Sequence, residues 1–147
     1  MVSIPKPDPS VGETFAAFPP SVRKKILALR RLIFETADAT EGVGPITETL
    51  KWGQPSHLIE ASRSGTTIRL GWKASAPTQY AMYVHCQTHL VDSFRTLFPR
   101  DLTFEDNRAI VFQLDDTLAK DPLSRCIAMA LTYHRQKAKS SSKRRRA

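Results

Sequence analysis

Two stretches of this chain alternate apolar and polar residues with the period of a strand. In "TTIRLGW", Ile68, Leu70 and Trp72 alternate with Thr67, Arg69 and Gly71. In "QYAMYVH", Tyr80, Met82 and Val84 alternate with Ala81 and Tyr83. Period two with β-branched and aromatic residues describes half-buried strands of an antiparallel sheet. "SHLIEA" reads as a weaker strand before them, with "RSG" (Arg63–Gly65) as the turn and "ASAPT" as the looser second link. "LTFEDNRAIVFQL" reads as a tight hairpin turning at Asp106-Asn107, with Leu102 and Phe104 facing Ile110 and Phe112. Short links between strands favour an α+β domain. Its mostly antiparallel sheet of about five strands carries helices packed on one side.

The helices are written at a different period. After "PPS", where proline suits a helix entrance and Ser21 is a candidate cap, Val22, Ile26, Leu29 and Ile33 form one stripe. Lys24, Arg31 and Glu35 fall opposite, and Leu27 with Phe34 makes a second apolar line. "ATEGVGP" ends this helix, and a short helical turn is expected from Ile46 to Lys51. "THLVDSFRTLF" is a second helix, capped by Thr88, with Leu90, Val91, Phe94, Leu97 and Phe98 on its apolar face and Pro99 ending it. The last helix opens at "DPLSRC", with Asp121 as cap, Pro122 in the first turn, and Leu123, Ile127, Ala130, Leu131 and His134 on one face.

The 147 residues suit one domain, large enough to fold without a disulfide or metal. Residues 1–12 read as a flexible Pro-rich lead, 13–135 as the folded body, and 136–147 as a disordered basic tail. The net charge of +8 resides mainly at the C-terminal end. Residues 135–147 hold seven Lys/Arg and no acid, leaving 15 basic against 14 acidic residues elsewhere. Lys143, Arg144, Arg145 and Arg146 suit weak, non-specific contact with nucleic-acid phosphates, or serve only as a solubilising extension. "MVSIPKPDPS" has neither a signal-peptide nor an anchor pattern, and no apolar run reaches membrane-spanning length. With two cysteines far apart, Cys86 and Cys126, the expectation is a cytoplasmic protein with free thiols and no membrane partner.

The order of "FPPSVRKKILALRRLI", "ETLKWGQPSHL", "FRTLFP" and "FEDNRAIVF" resembles the YdhG-like family, small bacterial domains of unknown function. The resemblance covers roughly residues 13–135 and implies an α/β sandwich with a mostly antiparallel sheet. Some relatives are described as frataxin-like iron chaperones that hold iron through surface carboxylates. This chain departs from them in its basic first helix and its scattered acids.

Four constellations carry chemistry. In "ETLKWGQPSHL", Glu48 and Trp52 are i, i+4 neighbours on the expected helical turn. Gly53 permits positive φ, and Pro55 forces an extended residue before it, so the indole either plugs the helix-to-strand junction or walls a pocket. Such a pocket would combine Trp52, Trp72 and Tyr83 as walls with Glu48 and His57 as polar anchors for an unknown small molecule. In "HCQTH", His85, Cys86 and His89 have the residue types of a metal site. The alternative there is a buried Cys86 with histidines decorating a loop. A thiol enzyme would use Cys86 near a helix start, with His85 or His57 as base. No base-orienting residue, phosphate loop or HExxH pattern accompanies it, so no catalytic residue is assigned. The acid pairs Glu105-Asp106 and Asp115-Asp116 suit solvated turns or a hard cation. The reading is therefore a non-catalytic module for a small ligand or metal, the alternative being a basic-tailed nucleic-acid accessory protein.

Overall fold

The computed structural model describes residues 4–60 and 65–135. Its order is α1 (Pro9–Ala17), α2 (Pro20–Ala39), β1 (Thr47–Lys51), β2 (Gln54–Leu58), β3 (Ile68–Gly71), β4 (Gln79–Tyr83), α3 (Leu90–Leu97), β5 (Thr103–Glu105), β6 (Ala109–Gln113) and α4 (Lys120–Leu131). A 3-10 turn, Cys86–Thr88, precedes α3. The six strands form one antiparallel sheet in the order β1-β2-β3-β4-β6-β5. The helices cover one face of it. The fold is thus α+β with an open antiparallel sheet, one strand more than the periodicity implies.

The extra strand is β1. Residues 46–51 do not form the expected helical turn. Thr47–Lys51 pairs with β2 in the register Glu48↔His57, Leu50↔Pro55 and Lys51↔Gln54. "TETLK" has the β-branched alternation of a strand, and a two-residue hairpin gives it a partner, which an isolated helical turn lacks. The β2–β3 ladder is short, Ser56↔Arg69 and His57↔Ile68. Pro55, with no N–H, has no donor to extend it.

The core follows the expected stripes. Val22, Ile26, Leu29 and Ile33 of α2 and Leu123, Ile127, Ala130 and Leu131 of α4 lie fully buried on Ile68, Leu70, Tyr80, Met82 and Ile110 of the sheet. Burying each such side chain contributes about 1.5–3 kcal/mol. Gly65 is pressed against the end of α4. A Cβ there would lie 2.4 Å from the Leu131 carbonyl oxygen, and the neighbouring Thr66 N–H donates to the Ala130 carbonyl at 2.9 Å. The rest of the turn expected at Arg63–Gly65 lies outside the described residues.

Several local expectations are corrected. The Pro-rich lead is shorter than 12 residues: α1 begins at Pro9, and Val11 and Phe15 enter the core. Ser21 makes no capping bond, because the helix starts at Pro20 with Pro19 before it. Asp121 is inside the first turn of α4, where a carboxylate favours the helix dipole, and not at its cap. Leu97 is 55% exposed, beyond the edge of the α3 apolar face, and His134 is exposed past the end of α4. Among the described residues no helix is long and apolar enough to cross a membrane.

Candidate functional site

The expected pocket residues separate onto three parts of the molecule. Strand alternation explains the first separation: Glu48 and His57 are cross-strand partners pointing toward the helices, whereas Tyr83 points to the other face.

Under the helices, Glu48 is held by α2 and β2 together. Arg30 donates to it from Nε (2.6 Å to Oε2) and Nη2 (2.8 Å to Oε1). His57 Nε2 lies 2.7 Å from the same Oε2. Arg30 Nη2 also donates to the Pro5 carbonyl at 2.6 Å, tying the N-terminal lead to the cluster. The Arg30 guanidinium sits 4.8 Å from the Phe34 ring centroid, and that ring meets His57 edge-on. Burial pushes the Glu48 carboxyl up, but hydrogen bonds from Arg30 and His57, together with their charges, outweigh it and hold the group at about 2. His57 is 0% exposed and its Nδ1 has no partner among the described residues. This is a closed structural ion cluster without access for a substrate. Arg30 escaped the sequence reading, although it stands four residues after Ile26, on the buried side of the helix.

Trp52 is neither plug nor pocket wall. It occupies the first position of the β1–β2 turn, 89% exposed, with φ 56° followed by φ 73° at Gly53. Positive φ at both central residues is the requirement of a type I′ hairpin turn. Glycine at the second position was legible, but the left-handed tryptophan was not.

The third part is a concavity of about 250 Å³ on the open face of the sheet. Gly71 and Ala81 are among its small residues, Trp72, Tyr80 and Tyr83 are its aromatic ones, and Lys73 and Glu105 its charged ones. The loop after β3 folds back so that the Trp72 indole N–H donates to the Pro77 carbonyl at 3.1 Å, fixing the ring. Gly71 lets two side chains close over the strand: a Cβ there would meet the end of the Gln54 side chain at 2.5 Å and the Tyr83 ring at 3.0 Å. Arg69 bonds Gln54 (3.3 Å) and lies 5.7 Å from the Tyr83 ring centroid, so the wall is braced from behind. Of the five expected pocket residues, Trp72 and Tyr83 share this recess, Glu48 and His57 pair beneath the helices, and Trp52 joins neither group.

The "HCQTH" residues do not converge. Among the described residues, no three His, Cys, Asp or Glu side chains form a group able to hold a metal ion. His85 Nδ1 accepts from the Gln87 backbone N–H at 3.1 Å. His89 takes a left-handed conformation and turns toward Asp92 (3.8 Å). Cys86 is exposed, not the buried hydrophobe expected; that role belongs to Cys126, whose thiol burial pushes up to about 12. His57, sealed against Glu48, is no base for Cys86. The basic residues Lys143, Arg144, Arg145 and Arg146 lie outside the described residues.

No family model matches this chain, no curated protein matches it, and no solved structure matches it.

Proposed function

We propose that this chain is a non-catalytic, YdhG-like binding module whose open sheet face takes a small planar molecule. One observation carries the reading: Trp72 and Tyr83 flank a concavity of about 250 Å³ lined also by the small residues Gly71 and Ala81. Drug-sized ligands occupy roughly 300–1,000 Å³, so this recess suits a single ring system. The aromatic side chains supply apolar contact, and Lys73 and Glu105 offer a charge of either sign to a substituent. A small organic ligand fits these residues better than a metal ion, because the lining holds only one carboxylate and no histidine or cysteine.

The test is an NMR titration of the ¹⁵N-labelled Trp52→Phe variant, in which Trp72 is the sole remaining tryptophan. Indole, adenine and nicotinate are added in turn. Binding is expected to move the Trp72 indole N–H and the Gly71 and Ala81 amides while leaving α4 unmoved. Should none of the three probes shift these signals, and native mass spectrometry find no co-purified molecule, the reading is wrong.

A further inference from the structure

We propose that the natural occupant of this recess includes the Trp52 indole of a second copy of the chain, giving a weak two-fold dimer. The inference rests on the preceding reading of the recess as a site for one ring.

The first observation is the cost of Trp52 where it stands. A large apolar side chain is left in water, in a left-handed conformation that Asn or Gly adopts with far less strain. The turn itself gains nothing from an indole at that position. The second observation is placement. Ser56 pairs with Arg69, which sets Gln54 beside Gly71. The Trp52-Gly53 turn and the Trp72-Lys73 segment therefore leave the sheet at the same end. A projecting ring and a ring-sized recess share one surface patch, and Trp52, being 89% exposed, does not fill the recess of its own chain.

A patch that carries both a projection and its matching recess is self-complementary. Under a two-fold axis, residue i of one copy meets j of the other while j meets i, and the assembly closes at two. The turn projects along the strands and the recess opens from the sheet face, so the two copies meet with their sheets roughly perpendicular. Lys51, exposed beside Trp52, bears the sign opposite to Glu105 in the recess and the same sign as Lys73. These charges direct the incoming turn to the Glu105 side. Two inserted indoles with little else make a small interface, so the association is weak and concentration-dependent.

Sedimentation velocity of the full chain over a concentration series tests this. The dimer fraction is expected to rise with concentration. Trp52→Asn, which suits the turn, is expected to weaken dimerisation by well over about tenfold, because both inserted indoles are lost at once. Val111→Phe, which narrows the recess and leaves Trp52 in place, is expected to do the same. Mixing the two variants restores one of the two insertions, so a heterodimer tighter than either homodimer is expected. Free indole is expected to dissociate the wild-type dimer. A chain that stays monomeric throughout, while indole still shifts the Trp72 signal, overturns the dimer and leaves the ligand site standing. A dimer untouched by Trp52→Asn also overturns it, placing the interface elsewhere. Absence of a dimer, together with no shift by indole, adenine or nicotinate and no co-purified molecule, removes both readings.

Discussion

Glu48 and His57 face each other across the β1–β2 hairpin, 2.7 Å apart, with Arg30 closing the other side of the carboxylate. One acid thus serves two bases beneath α2, and its removal leaves a buried guanidinium uncompensated. Glu48→Gln is expected to destabilise the fold by about 3–5 kcal/mol, the usual result of breaking a buried pair from one side. Replacing both partners, Arg30→Met with Glu48→Leu, is expected to recover most of that loss. Urea denaturation of the three proteins measures both effects.

The same carboxylate sets an acid limit. Its pKa falls from 4.5 to about 2 on folding, so the unfolded chain binds its proton more readily. The stabilisation is fully present above about pH 5 and is lost as pH falls through about 2, amounting to on the order of 3 kcal/mol. Thermal melts between pH 6 and pH 2 should show a decline across this window that is absent from the Arg30→Met/Glu48→Leu protein. An identical decline in that protein would place the acid sensitivity elsewhere.

Tyr80 offers the reverse case. Its hydroxyl is buried without a hydrogen-bond partner among the described residues, and its ring stacks on Phe112 at a centroid distance of 5.0 Å. Tyr80→Phe is expected to be neutral or stabilising, since it removes an unsatisfied polar group without opening space. Burial first, and Asp116 second, raise the phenol from 10.0 to about 12. The native state thus favours the protonated phenol: its contribution is complete below pH 10 and is lost as pH rises through 12. Alkaline denaturation should begin at higher pH in Tyr80→Phe than in the wild type.

Helix and sheet periodicity made most of this fold legible, and the failures have specific causes. Strand alternation identified Ile68, Leu70, Tyr80 and Met82 as core because each strand has one buried face. The segment 46–51 misled because its strand identity depends on a partner across a turn begun by a left-handed tryptophan, against the usual Asn or Asp. The pocket reading joined the 48–57 segment to Trp72 and Tyr83 across the sheet, but alternation sends Glu48 and His57 to one face and Tyr83 to the other. Arg30 was missed because charge normally marks the solvent side of a helix, and only its partner across the sheet layer explains its burial.

The turn itself yields a measurable expectation. Trp52→Asn creates the dipeptide best suited to a type I′ hairpin and is expected to raise stability by about 1 kcal/mol. A rise in Tm at concentrations where the chain is monomeric would confirm that the tryptophan is retained against local stability.

Gly65→Ala should act in the opposite direction. The added methyl would meet the Leu131 carbonyl at 2.4 Å, a backbone atom with no rotamer to yield. A loss of about 1–3 kcal/mol is expected, as for other overpacked sites. The loss should appear in the denaturation midpoint of the whole domain, since the contact joins the segment leading into β3 to α4.

That contact also fixes which end of the strands the last turn of α4 sits against. The end of α4 is clasped to the start of β3, and Arg135 is tied to the Glu41 carbonyl at 2.8 Å. The Trp52 turn lies at the other end of the strands. A biotin, a fluorophore or a surface tether attached at His134, exposed past the end of α4, would stand away from both the tryptophan and the recess. Immobilised in that orientation, the molecule offers its aromatic end to solution.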